Sequence, residues 1–395
     1  MTLTRRAFLA APAALAAPAA PPMMFVTAEE ARRMHDYARA NKAAIIQHNA
    51  ASALKAGPWS VTFHRPKALN IGAGPNDYVS QAPYWWPDPK NPKGPYIRRD
   101  GEYFKDRFTT HRTEIDKMCS SVMALAMGAY FLNTPGCADR ARTVLSTWFL
   151  DPKTRMNPNL QFGEVIVGVN QGRGAGIIAS RQLMEVAQGI ALLEAAGGFD
   201  AAVASGVRDW SAEFLRWLTT SKHGLSEKAT GNNHSTWWTA SVASLATFTG
   251  NAAVRRMAWD HYRNFLVPKE IQPDGSCPRE EERTRALFYS SMNQDAFSLL
   301  CRLAQMDGVD LWHFHAPNGA GVDKSFAHMA PYLVHPETWK LKQINDFDPK
   351  IHYFPGLAGI ALPSPKLLAI YNAVPRAETP WVQFMDMIVR VSRPG

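Results

Sequence analysis

Apolar residues recur at helical spacing over most of this chain, and the alternation that marks half-buried strands is almost absent. Ile115, Met118, Val122, Leu125 and Ala129 form one stripe, ended by the turn Asn133-Thr134-Pro135-Gly136. Val144 and Trp148 mark a second helix that stops at Asp151-Pro152. Leu183, Val186, Ile190 and Leu193 mark a third, closed by Gly197-Gly198, and Val207, Trp210, Phe214 and Trp217 a fourth. The same reading predicts helices over 235–249, 252–266, 282–306 and 324–333. Thr27 and Glu30 make a capping box, so a helix is expected from there to about Leu54. The links carry Gly, Pro or Asn, as antiparallel helix pairs require. Such a chain is all-α: stacked helical hairpins forming either an open solenoid or a closed (α/α) toroid. No residue-level repeat points to a named solenoid, and a toroid offers a cleft built from the loops at one end.

Two stretches break the helical pattern. Gly57 to Lys105 is rich in Pro, Gly, Tyr and Trp, and its middle reads Tyr84-Trp85-Trp86-Pro87-Asp88-Pro89. Aromatic content of this kind argues against disorder, and long loops inside a domain are usually functional. Tyr84, Trp85 and Trp86 are expected to form a sugar-stacking wall or lid; the plainer reading is a loop pinned to the body by its aromatics. The segment from Asp346 to Pro363 also reads as irregular and is expected to close the cleft. No linker divides the chain, so residues 23–395 are expected to form one domain.

The first residues, Thr4-Arg5-Arg6-Ala7-Phe8-Leu9 followed by an Ala/Pro-rich stretch to Pro22, resemble a twin-arginine export signal. Residues 1–22 are therefore set aside from the fold, and a periplasmic location is expected. No later apolar run reads as long enough to span a bilayer. The formal net charge of +9 favours an anionic partner. With no Lys/Arg run and no nucleic-acid motif, nucleic acid is disfavoured against anionic lipid or acidic polysaccharide. Twelve tryptophans add to that, because exposed ones stack on sugar rings. The four cysteines lack CxxC spacing, which speaks against structural zinc and for buried thiols, although an oxidising compartment would permit a disulfide. No cofactor or metal is expected.

Two segments carry the chemistry. One is Gly231-Asn232-Asn233-His234-Ser235-Thr236-Trp237-Trp238; the other, about fifty residues on, is Arg283-Thr284-Arg285-Ala286-Leu287-Phe288-Tyr289-Ser290. Amide, imidazole, guanidinium and phenol together suit eliminative cleavage of a uronic-acid polymer. The C5 proton lies beside a carboxylate and is barely acidic, so the enzyme must first disperse that charge. It must then remove the proton and protonate the leaving O4. Asn233, His234 and Arg285 supply donors, and Tyr289 can move the proton if nearby cations lower its pKa from about 10. Arg285 and Tyr289 are four apart, on one face of the predicted helix, with Glu281 four before Arg285 to orient it. The bland alternative is a helix cap, since Asn and Ser are ordinary cap residues. Asn170 and Arg173 in the loop Gly168 to Gly174 are weaker cleft candidates; a Gly-rich loop before a helix can cradle an anion, but a plain loop is the simpler reading. His313-Phe314-His315 is a poor metal pair, and Glu280-Glu281-Glu282 reads as a charged helix start.

With these residues in view, the chain resembles the alginate lyase family of polysaccharide lyases. The string Asn232 to Trp237 is similar to that family's Asn-Asn-His motif, and Arg283 to Ser290 to its Arg/Tyr helix. Tyr84 to Pro89, Arg98-Arg99-Asp100-Gly101 and Arg155 to Leu160 resemble its upstream signatures. The similarity runs from about Ala68 to Tyr332. It implies an (α/α) toroid and β-elimination, with Asn233 and Arg285 neutralising the carboxylate and His234 and Tyr289 in the proton chemistry. Asn232 and Trp237 are the adjoining substrate-binding candidates. The best-known alginate lyase branch carries its tyrosine seven residues after the arginine, where this chain has Met292; the four-residue spacing here is closer to the branch that includes glucuronan lyases. Where the C5 proton and O4 lie on the same side, one tyrosine can be base and then acid. Where they lie on opposite sides, His234 as base and Tyr289 as acid would serve. The syn route with Tyr289 in both roles is the working expectation. A glycoside hydrolase on the same scaffold, or a non-catalytic polysaccharide-binding protein, are the competing readings.

Overall fold

The computed structural model describes residues 23–66, 69 and 71–392. The export-signal segment, residues 1–22, lies outside them.

Thr27 caps the first helix through the capping box expected of it: its hydroxyl accepts from the Glu30 N–H at 3.1 Å, and the Glu30 carboxylate accepts from the Thr27 N–H at 2.8 Å. The helix is split, however, into α1 (Ala28–Asn41) and α2 (Ala43–Lys55), with Lys42 between them out of helical conformation. The loop that follows contains β1 (Val79–Gln81), β2 (Trp85–Trp86) and β3 (Ile97–Arg98). Then come α3 (Thr110–Leu132), stopped by Asn133 in the left-handed region, and α4 (Cys137–Leu145), which runs into a π-turn over Ser146–Leu150. After β4 (Phe162–Val165) come α5 (Leu183–Ala196), α6 (Ala201–Thr220), α7 (Lys222–Lys228) and α8 (Asn233–Phe248). Next are α9 (Ala252–His261), α10 (Val267–Glu270), α11 (Pro278–Glu281), α12 (Ala286–Met306), α13 (Val322–Met329) and α14 (Pro331–Val334). The segment expected to be irregular after Asp346 instead holds α15 (Phe354–Ala361), and α16 (Pro365–Ala373) and α17 (Pro380–Val391) follow.

These helices form a closed two-layer ring. In the inner layer α3 packs on α5, α5 on α8, α8 on α12, α12 on α15 and α15 on α17, and α17 returns to α3 and α1. Outside it, α2 and α4 cover α3, α6 and α9 cover α8, α13 covers α12, and α16 covers α15. The architecture is an all-α (α/α) toroid. Inner helices must bury most of their circumference, so α8 is apolar or small on several faces, and α12 buries Asn293, Gln294, Asp295 and Arg302 along with its apolar residues. The same demand corrects one expectation: α3 is long and apolar enough, by length and composition, to cross a bilayer, yet 67% of that window is buried inside the fold.

The short strands position loops over one mouth of the ring. β1 pairs in parallel with β4, and β2 with β3 in an antiparallel ribbon. Cys119, Cys137, Cys277 and Cys301 are all buried free thiols.

Candidate active site

The first functional segment sits at the N-terminus of α8. Gly231 takes φ +66°, a conformation that favours glycine, and turns the chain into the helix. Asn232 is the N-cap; its side-chain oxygen accepts from the His234 N–H at 3.1 Å, and the Ser235 hydroxyl accepts from the Asn232 N–H at 3.2 Å. The cap reading of this motif is therefore correct for Asn232, and it leaves the next two side chains for other work.

Three buried carboxylates brace this turn. Glu280, on α11, accepts the Asn233 backbone N–H at 2.5 Å on one oxygen and the Asn233 side-chain amide at 2.7 Å on the other. Glu227, on α7, faces His234 Nδ1 at 2.5 Å, which keeps a proton on Nδ1 and leaves Nε2 for the cleft. Glu270, on α10, accepts from the Ser235 and Thr236 hydroxyls at 2.7 Å each. Burial raises the pKa of all three, Glu270 to about 8, against the hydrogen bonds that lower it. For His234, burial alone would lower the pKa; the Glu227 carboxylate outweighs it and raises the value above 6.5. The Asn233 side-chain oxygen is buried with no protein partner.

The second segment departs from its prediction. The helix begins at Ala286 rather than Glu282, because residues 284–286 pair with 342–344: Ala286 N–H donates to Lys342 O at 2.9 Å and Ile344 N–H to Thr284 O at 3.0 Å. That extended stretch separates the two arginines. Arg283 forks onto Asp100, Nε at 3.2 Å and Nη2 at 2.9 Å, and its guanidinium carbon lies 4.1 Å from the centre of the Tyr289 ring. Arg285 sits beside the tyrosines rather than over the Tyr289 ring: its Nη1 donates to the Tyr103 hydroxyl at 2.8 Å and its guanidinium packs 4.4 Å from the Phe288 ring centre. Glu281 does not orient it; that carboxylate pairs with His328 at 3.3 Å. Asp100 is set by Gly101, at φ +79°, where a Cβ would stand 2.3 Å from the Thr284 hydroxyl. Burial would raise the Asp100 pKa, but the Arg283 bonds hold it well below the usual carboxylate range.

Tyr289 projects from the first turn of α12, is 6% exposed, and hydrogen-bonds hydroxyl to hydroxyl with Tyr84. Burial raises its pKa above 10, opposed by the Arg283 charge and the Tyr84 hydrogen bond. Tyr84 packs in turn on Tyr103, with ring centres 5.3 Å apart.

Asn232, Asn233, His234, Tyr289, Tyr84, Trp85 and Arg173 all line one cleft of about 530 Å³ at the mouth of the ring. Arg173 is engaged by Glu164 at 2.5 Å, and Glu164 itself holds a left-handed φ of 51°, strained for a non-glycine residue and facing the same cleft. Four expected residues do not line it. Arg285 is drawn aside as described. Trp86 belongs to the β2–β3 ribbon, its indole N–H given to Glu102 O at 3.0 Å. Asn170 closes its own turn, accepting from the Ile166 and Gly172 N–H groups at 3.2 and 3.1 Å, so that loop is a plain loop at this position. Trp237 points into the ring and lines a separate cavity. Conversely, Arg283 and Glu227 line the cleft and were not among the sequence candidates, and Glu280 is not a solvated helix start but 1% exposed. Arg283 stood in the motif itself, two residues from the arginine chosen. His313 and His315 pair with Asp310 and Asp323 at 2.8 and 3.0 Å, and no group of three or more metal-ligating side chains occurs among the described residues.

Comparison with known proteins places this geometry. An alginate lyase from Bacteroides ovatus superposes with a TM-score of 0.85 at 29% identity, over 94% of this chain and 99% of that one. The apo form of a variant of alginate lyase A1-III gives a TM-score of 0.52 at 14% identity, over 82% of this chain and 88% of that one, a likeness of fold alone. No curated protein is significantly similar to the chain. The sequence profile of the alginate lyase family matches residues 65–339, well over half the chain. The chain thus belongs to the alginate lyase family, and it is a polysaccharide lyase.

Proposed function

We propose that the cleft cleaves a β-linked uronan of the mannuronate or glucuronate type by syn β-elimination, with alginate as the substrate class that family membership favours. The observation that carries this reading is the sharing of one cleft by two devices: an Asn233–His234 pair backed by buried carboxylates, and a Tyr289 phenol beneath a guanidinium. Asn233, His234 as an imidazolium and Arg283 together disperse the charge of the C6 carboxylate as the enolate-like state forms. Arg283 takes the part first expected of Arg285, which acts through Tyr103 and Tyr84.

Tyr289 as phenolate removes the C5 proton. The C4=C5 double bond forms, the C4–O4 bond breaks, and the new phenol O–H returns its proton to O4, restoring the phenolate. Arg283 over the ring and the Tyr84 hydroxyl beside the oxygen support the ionised form, against the burial that disfavours it. His234 is the less suited base, because the Glu227 carboxylate stabilises its protonated form. That favours substrates in which one residue can serve both steps from the same side.

The test is a screen of polymannuronate, polyguluronate and glucuronan, following the ultraviolet absorbance of the conjugated product. Faster turnover of polyguluronate than of the other two polymers would overturn the syn assignment. We further propose that residues 1–22 direct the chain to the periplasm; recovery of the protein in a periplasmic fraction, lost on replacing Arg5 and Arg6 with Lys, checks it.

A further inference from the structure

Below the cleft, on the axis of the ring, lies a second cavity of about 340 Å³, within the size range of small-molecule sites. Its wall is built from the inner helices: Asp116 on α3, Glu185 on α5, Trp237 on α8 and Asp295 on α12, with His352 before α15. Arg181, Phe288 and Met292 line both cavities and form their junction.

Arg181 is unusual there. Among the described residues no carboxylate lies within ion-pair distance of it. Its guanidinium donates from Nη1 to the Ile178 carbonyl at 3.0 Å, and its guanidinium carbon lies 5.8 Å from the Trp237 ring centre. Burial lowers its pKa to about 10, which leaves it charged at neutral pH. The nearby acids do not cancel it by direct contact: Asp116 pairs with Arg112 at 3.1 Å, and burial raises Glu185 to about 8, which disfavours its charge. A second, independent observation concerns the same wall. The indole N–H of Trp237, 7% exposed, and Nε2 of His352, 1% exposed, are buried with no hydrogen-bond partner, as are the acceptors Asp116 Oδ1 and Gln182 Oε1. His352 is held by Nδ1 on Asp295 at 2.7 Å, so its ring cannot turn to find a partner without losing that bond. Buried polar groups of this kind are ordinarily paired, and an apolar occupant would leave them unpaired.

A guanidinium with no carboxylate in direct contact, beside unpaired hydrogen-bonding groups, suits a ligand that is both carboxylated and hydroxylated. We propose that the axial cavity is a second subsite for one uronate ring, contiguous with the cleft: Arg181 takes its carboxylate, and Trp237 and His352 take ring hydroxyls. The proposal rests on the uronan-lyase reading for the identity of the sugar. The occupant is either a unit of the bound chain or a released monosaccharide; the chemistry is shared.

The test uses the full chain and calorimetric titration with D-mannuronate and with D-mannose. The wild type should bind mannuronate at least ten-fold more tightly than mannose. R181Q should lose ten-fold or more, R181K should lose less, and W237F, whose side chain lines the axial cavity and not the cleft, should lose three- to ten-fold. Equal binding by wild type, R181Q and W237F, or equal affinity for the two sugars, would overturn the proposal. Kinetics on polymannuronate separate the sources: a raised KM in R181Q identifies a chain unit, and relief of inhibition by added mannuronate identifies the released sugar. A wild type that binds mannuronate in this pattern but never makes the unsaturated product would sink the lyase reading and leave the site standing. A lyase whose variants bind as the wild type does would do the reverse.

Discussion

The two halves of the cleft are held in opposite ways. At the start of α8 the functional side chains are anchored from within the ring, by carboxylates on α7, α10 and α11 that are themselves buried. At the start of α12 the arginines stand just outside the helix, and their partners Asp100 and Tyr103 come from the loop after β3. Buried charge is costly unless hydrogen-bonded, and a carboxylate that receives two N–H bonds from one residue fixes that residue closely. The difference teaches that orientation is built into the α8 half, whereas the α12 half depends on a loop docking in place. Mutations should therefore act mainly on kcat in the first and should weaken substrate binding more readily in the second.

The largest effect is expected where both halves meet the reacting atoms. Tyr289→Phe removes the hydroxyl and should lower kcat by about 10³-fold or more, within the range for general acid–base groups; normal turnover of every uronan would end the tyrosine mechanism. Next, Glu280→Gln replaces one of two acceptors with a donor, leaving an Asn233 N–H unpaired or its amide reversed. We expect kcat to fall about 10²-fold with a smaller change in KM, read by steady-state kinetics. An effect confined to KM would break the contrast between the halves. Third, Arg283→Ala should cost more in kcat/KM than Arg285→Ala, by about ten-fold, because only Arg283 lies over Tyr289 and on the cleft.

The fourth prediction concerns pH. Glu227 raises the His234 pKa, so the imidazolium persists above 6.5 in the wild type. Glu227→Gln removes that charge, lowers the His234 pKa, and should move the limb of the pH–rate profile that His234 controls to lower pH. The smallest effect is on the loop. The folded Asp100 pKa is depressed, so its contribution to stability is present above the ordinary carboxylate value and is lost only as pH falls through the folded value. As the Arg283 pair is partly exposed, Asp100→Asn should cost under about 1 kcal/mol, a shift of about 1–2 °C in the thermal midpoint.

Much of this was legible in the residues. Helix positions followed from apolar spacing because each stripe faces a neighbour, and the Asn-His and Arg/Tyr segments stood out by chemistry. Periodicity missed what tertiary pairing decides. It could not show that residues 342–344 would pull 284–286 out of the helix, or that Arg283 would lie over the Tyr289 ring. Nor could it tell that Glu280, in a run of three acids, is the buried one, since Glu281 and Glu282 beside it carry the same side chain. Trp86 was read as part of a sugar-stacking wall and Trp237 as a substrate-binding candidate beside the Asn-His motif, and strand pairing and helix phase sent them elsewhere.

The seam of the ring has a consequence for how the chain acquires its shape. α17 closes onto α1 and α3, with Lys42 on Asp386 at 2.9 Å and Ser392 on Glu30 at 2.6 Å, so segments from opposite ends of the described chain must meet to close the ring. Contacts so distant along the chain are slow to form. Until they do, the inner faces of α1 and α3 stay wet and sticky, and the long apolar α3 is the element most in need of shelter from aggregation.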